Sequence, residues 1–166
     1  MSLETVGWLF TVGVLMHNLE EWFLLPAWSQ HAGRWHKQID KGVFRFAVVV
    51  LSLLLLLNAC AASVAEAGSA AAYLMAGWAL AMALNALFPH LLVSLVKKKY
   101  MPGTATALVF NLTLGTLYLF RAVDEHRIDP AVLVWAGPLF VAAIALSIPL
   151  LFTLGRRLFP SDRRAW

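Results

Sequence analysis

Within the apolar run WLFTVGVLMHNLEEWFLLPAW stand a histidine and two adjacent carboxylates, His17, Glu20 and Glu21. Offsets of three and four residues put their side chains within about a 100° arc of an α-helix, so they form one polar face. Gly13, one turn earlier on that face, leaves room for a neighbour or a substrate to approach the backbone. An ionisable side chain near the centre of a bilayer costs at least ~2.5 kcal/mol, so three of them in five positions require neutralisation, pairing, hydration or a metal. Adjacent carboxylates also resist joint ionisation in a low dielectric unless a cation is present.

Two chemistries answer that cost. In the first, a divalent metal is held by His17, one or both of Glu20 and Glu21, and a later histidine, His90. Imidazole with carboxylate suits zinc or non-haem iron, and two histidines with one carboxylate leave positions open for water or substrate. The pattern is not HExxH, which has both histidines on one helix, and a ferritin-like di-iron site needs more carboxylates than are present. In the second, no metal binds and Glu20 or Glu21 is a protonated acid or proton carrier partnered by His17 or His90. The reading without chemistry is a satisfied polar cluster that fixes helix packing.

The elements that must position these residues follow from composition. Of 166 residues 61% are hydrophobic and 13% charged, and mean hydropathy is +0.74, values that point to an integral membrane protein. At roughly 20 residues per spanning helix there is room for about five helices and no soluble domain. Apolar runs bounded by charge, Pro or Gly predict an all-α bundle, one domain over 1–166, with spans near 4–27, 43–66, 70–96, 103–122 and 130–154. The amino terminus MSLETVGW lacks a basic n-region, so the first run is expected to be a mature helix. Cys60, alone in an apolar run, permits no internal disulfide.

Lysine and arginine set the expected orientation. Arg34, Lys37, Lys41 and Arg45 lie in the first connection, Lys97, Lys98 and Lys99 in the third, and Arg156, Arg157, Arg163 and Arg164 in the tail. Only Arg121 and Arg127 fall on the other side, which predicts an amino terminus outside and a carboxyl terminus in the cytoplasm. The net charge of +4 then reads as orientation and attraction to anionic lipid, with no folded basic domain to bind nucleic acid.

The third span supplies the partner for HNLEE. Ala79, Ala83, Ala86 and His90 describe a seam of small side chains ending in a histidine, and Pro89 is expected to kink the helix between Asn85 and His90. In the fourth span Thr104, Asn111 and Gly115 share a face. With the expected orientation Glu20, His90 and Asn111 lie roughly 9, 10 and 12 Å from the cytoplasmic boundary, close enough to meet in one layer. Asn58, Arg121 and Asp124 lie toward the outer side, where Arg121 and Asp124 are read as boundary anchors or partners. The Asn111-Leu112-Thr113 sequon falls inside a span, beyond the glycosylation machinery, and His31 and His36 belong to a solvated loop that could lid the site.

The chain resembles the HXXEE-motif family of small bacterial membrane proteins, through HNLEEW, His90 and KKKYMPGTATA. The resemblance implies a bacterial cytoplasmic-membrane location, makes His17, Glu20, Glu21 and His90 the functional candidates, and draws in the turn Tyr100-Met101-Pro102-Gly103; it supplies no substrate or cofactor. The expectation is a membrane enzyme acting on a hydrophobic or lipid-derived substrate near the cytoplasmic leaflet. His17, Glu21 and His90 are the expected zinc or iron ligands, and Glu20 a fourth ligand or general base. Asn85, Asn111 and Tyr100 would orient the ligands or substrate. The reaction would be hydrolysis or, with iron, oxidation. The alternatives are a proton- or cation-coupled transporter and a metal-free acid/base enzyme. Membrane lipids are the expected surroundings, and the limited volume of five short spans admits a homo-oligomer.

Overall fold

The structure is a computed structural model that describes residues 1–33 and 38–159. Five helical units follow one another: α1 (Leu3–Ser29), α2 (Lys41–Val64), α3 (Ala70–Lys97), α4 (Thr104–Asp124) and α5 (Pro130–Leu158). Polar residues just ahead of four of them satisfy first-turn amides that would otherwise lack partners. Ser2 Oγ accepts from Thr5 N, Asp40 Oδ1 from Val43 N, Ser69 Oγ from Ala72 N and Asp129 Oδ1 from Ala131 N. The bounds of the five helices fall within a few residues of those expected. α5 runs past the expected end at 154 to Leu158, through Gly155, Arg156 and Arg157, with Pro138 and Pro149 absorbed within it.

Among the described residues there is no strand, and four helices, α2 to α5, are long and apolar enough to cross a membrane. α1 has the length, 27 residues, but Glu4, His17, Asn18, Glu20 and Glu21 lower its apolar character. α1, α2, α3 and α4 form a ring in which each packs on the next and α4 closes on α1; α5 lies outside, against α2 and α3. In its most apolar stretch α5 is 6% buried, against 33% for α3, so α5 is a peripheral wall and α3 a central member.

Lipid tails offer no hydrophobic gain for helix association, so close packing must hold the ring together. Val6, Phe10, Val14, Leu55, Met75 and Ala79 fill one half of it, each at most 2% exposed. A Cβ on Gly115 would stand 3.0 Å from Ala79 O, which shows how closely α4 approaches the alanine seam of α3. The other half of the ring holds the polar residues.

Two irregularities shape that half. α3 breaks at Phe88, where φ −136° and ψ 120° are extended rather than helical, as the missing N–H and bulky ring of the following Pro89 require. The break falls inside the expected interval. α4 contains a wide turn over Ala107–Leu112, unannounced by any proline or glycine within it, and Thr113 Oγ1 donates to Leu108 O across five residues (3.0 Å).

Candidate functional site

His17 and His90 reach the bundle interior from α1 and from the segment beyond the α3 break, each 1% exposed. Their rings stand edge to face, centres 4.8 Å apart and planes at 85°. Glu21, one turn beyond His17, spans both: Oε1 lies 3.3 Å from His90 Nε2 and Oε2 3.8 Å from His17 Nε2. One donor atom from each of the three falls within 4.8 Å of the others. Ligands of a four-coordinate ion with bonds of about 2.0–2.2 Å stand roughly 3–3.6 Å apart, so this donor set fits zinc or iron after small side-chain adjustments.

His17 Nδ1 lies 3.2 Å from both Gly103 O and Thr106 Oγ1. A carbonyl only accepts, so Nδ1 carries the proton and Nε2 keeps its lone pair toward Glu21. That is the tautomer a metal-binding imidazole needs.

Glu20 turns elsewhere. Tyr100 Oη (2.5 Å) and Gly103 N (2.9 Å) donate to Oε1, and Thr106 Oγ1 (2.7 Å) donates to Oε2. The expectation of Glu20 as a fourth ligand is therefore not matched by the geometry, which brings together His17, Glu21 and His90. Adjacent residues on a helix diverge by about 100°, and two donors from the α3–α4 turn, with Thr106 from the first turn of α4, hold Glu20 on its own side. It reaches the cluster through Thr106, whose hydroxyl stands between the carboxylate and His17, and through Gly103, whose N–H donates to Glu20 and whose O faces His17 Nδ1. Thr106 went unnamed among the candidates, although it lies in the KKKYMPGTATA segment.

The turn carrying these donors is fitted to the histidines. Gly103 has φ +91°, and a Cβ there would fall 2.7 Å from His90 Cε1 and 2.8 Å from His17 Cε1, so both backbone and space demand glycine. Thr104 Oγ1 donates to Met101 O (2.7 Å) and lies 3.2 Å from His90 O, tying the turn to the end of α3. Burial first, and then the bond to Glu20, push the Tyr100 hydroxyl above its ordinary titration range.

Asn111 is fully buried, and among the described residues neither its amide N nor its O has a protein partner; Asn85 Oδ1 and His90 Nδ1 also lack one there. His31, just past the end of α1, is exposed and its Nδ1 lies 3.3 Å from Ala27 O in the last turn of that helix, and His36 lies outside the described residues. At the opposite end Arg121 pairs with Glu125.

Glu21, 15% exposed, opens onto a cavity of about 560 Å³ between α1, α2, α3 and α5. His17, Asn18, Glu21 and Asn85 line one part of it; most of the remaining lining is apolar, including Leu51, Trp78, Ile144 and Phe152.

A model of the family described as "Protein of unknown function with HXXEE motif" matches residues 8–118, a stretch holding every candidate site residue. The chain belongs to the HXXEE family. It is similar to the uncharacterized protein YrkK of Bacillus subtilis (strain 168), 33% identical over 156 residues that cover 91% of this chain and 96% of that protein. No solved structure matches.

Proposed function

We propose that this HXXEE protein is a metal-dependent enzyme of the bacterial cytoplasmic membrane, acting on a hydrophobic or lipid-derived substrate. The observation that carries the reading is the convergence of His17, Glu21 and His90 donor atoms within 4.8 Å beside an apolar cavity. His17 Nε2, a Glu21 oxygen and a His90 ring nitrogen would hold zinc or iron. Such an ion supplies Lewis acidity for hydrolysis or, as iron, a redox centre for oxidation. The chain's own residues do the rest. Gly103 O and Thr106 fix the His17 ring, Glu20 fixes Thr106, and the apolar walls suit the hydrophobic part of a substrate.

In this reading α1 also spans the bilayer, with its amino terminus outside. Its polar face is turned into the bundle, where His17 is buried and Glu20 and Glu21 have partners, so the insertion cost of these groups is offset. The clustering of Lys and Arg around the site end supports a site near the cytoplasmic leaflet.

The deciding measurement is metal content by plasma mass spectrometry on detergent-purified protein prepared without chelator. About one zinc or iron per chain, lost in folded His17→Ala and His90→Ala variants, is expected. Protein that carries no metal and retains none after reloading with either ion overturns the metal reading; the same trio is then a proton-holding network.

A further inference from the structure

The groove between α1 and α2 holds a cation without a counterion. Arg45 stands four residues beyond Lys41, the first residue of α2, which is roughly 6 Å along the helix. Its guanidinium lies over the Trp22 ring of α1, 4.7 Å from the ring centre, and its Nε is buried without a hydrogen-bond partner. Among the described residues no carboxylate pairs with it. Glu20 is held by Tyr100, Gly103 and Thr106, Glu21 faces the two histidines, and Asp40 Oδ1 caps Val43 N. A cation within a span is costly until an anion or water reaches it, and stacking on Trp22 supplies no acceptor. The terminal Nη atoms bond no protein group and are not sealed off as Nε is, so the planar fork can receive two phosphate oxygens from outside the bundle.

The surroundings select the source of that phosphate. One and two turns deeper on the same face of α2, Val49 and Leu53 are 43% and 53% exposed, and on α1 Leu19 and Phe23, beside Trp22, are 56% and 63% exposed. Asn18 Nδ2 donates to Ser52 Oγ (2.9 Å) and joins the two helices below the cation. Toward the helix ends lies an open cavity of about 560 Å³, bounded among the described residues by Phe23, Pro26, Gln30, Asp40 and Lys41. Lys41 and Arg45, at i and i+4, share a face. Their two positive charges stand against the single negative charge of Asp40, which matches a head group of net charge −1 and disfavours one that brings its own ammonium. A free phosphate ion gains nothing from the apolar flank, whereas a phospholipid meets the cavity with its head and the flank with its chains.

We infer that the groove between α1 and α2 binds one phospholipid of net negative charge, its phosphate held by Arg45 and its acyl chains lying along Leu19, Val49 and Leu53. The orientation proposed above puts this lipid in the cytoplasmic leaflet. The binding uses none of His17, Glu21 and His90 and stands whether or not they hold a metal.

The test is native mass spectrometry of the full-length protein, delipidated in detergent and titrated with dioleoyl phosphatidylglycerol or with phosphatidylcholine of the same chains. One phosphatidylglycerol per chain is expected, bound about tenfold more tightly than the choline lipid. Arg45→Gln should cut that affinity about tenfold and erase the preference. Arg45→Lys keeps the charge but loses the planar fork, and should cost about threefold. Lys99→Gln, which removes an exposed cation of α3–α4 outside the groove, should cost less than about threefold and leave the preference intact. Glycerophosphoglycerol and inorganic phosphate, which lack chains, should displace the lipid only at concentrations at least about a hundredfold higher. Melting temperatures on the same samples identify folded variants, and if Arg45→Gln does not fold, Arg45→Lys decides. Equal binding of the two lipids, or affinity unchanged in the folded Arg45 variants, overturns the inference; displacement by the chainless anions at concentrations comparable to the lipid overturns the lipid as occupant. Metal content is expected to be the same in Arg45→Lys and the parent, so loss of lipid preference with metal retained separates this failure from that of the metal reading.

Discussion

The two ends of the bundle use similar residue types for opposite purposes. At the end away from HNLEE, Arg121 pairs with Glu125, and the Arg127 guanidinium donates to Ala62 O and Ala65 O at the last turn of α2. Asp129 caps α5 while its N–H donates to Tyr73 Oη (2.9 Å). These bonds close helix ends and tie connections together, and several of their members face outward. At the HNLEE end, by contrast, two histidines and an asparagine are buried, and His90 Nδ1 and both Asn111 amide atoms have no protein partner. Buried polar groups are costly unless paired, so the incomplete pairing at this end, beside full pairing at Glu20, accords with the site proposed above.

Gly103→Ala should break this contrast most severely. The added methyl meets both histidine rings and is strained at φ +91°; a loss of about 2 kcal/mol or more of stability, together with the bound metal, is expected from the melting temperature and metal content in detergent. Substituting one carboxylate at each end comes next. Glu21→Gln should lower metal affinity at least about a hundredfold, because a charged ligand becomes neutral. Glu125→Gln should leave metal binding intact and change stability by less than about 1 kcal/mol, as for other exposed ion pairs. Equal effects on metal binding would erase the distinction between the ends.

Thr106→Val and Glu20→Gln probe the support of His17. Each should weaken metal binding by about 10–100-fold while leaving one ion per chain at saturation, and Thr106→Ser should restore it. A Glu20→Gln protein with no site at all would return Glu20 to the ligand set.

The smallest effect belongs to Tyr100. A hydroxyl whose folded-state titration is raised favours the fold while protonated, so its contribution is complete below its ordinary value of 10.0 and is lost as pH rises through the folded value. Tyr100→Phe should melt with a shallower pH dependence across that alkaline window than the parent; parallel curves would show that the bond to Glu20 contributes nothing there.

Much of this was legible in the sequence, and the failures have physical causes. Five apolar runs and their approximate bounds follow from hydropathy, and Pro89 announces the break, although Pro26, Pro138 and Pro149 lie within continuous helices and show that proline alone does not dictate one. His17, Glu21 and His90 could be gathered because helical spacing and depth agree. Spacing could not separate Glu20 from Glu21, since both lie on one broad arc and only the donors of the α3–α4 turn decide which way each carboxylate leans. Thr106 was missed for the same reason, its role existing only once the turn folds back on α1. The wide turn at Ala107–Leu112 has no residue that demands it, and the cavity depends on where an outer helix comes to rest.

The position of α5 bears on how such a protein is made. Every proposed ligand, and the turn that steadies them, belongs to the ring of α1 to α4, and α5 touches that ring from outside. A ribosome delivers the ring first. The order of synthesis therefore permits an ion to be captured by the nascent protein while the last helix is still being translated, with the outer wall of the cavity added afterwards.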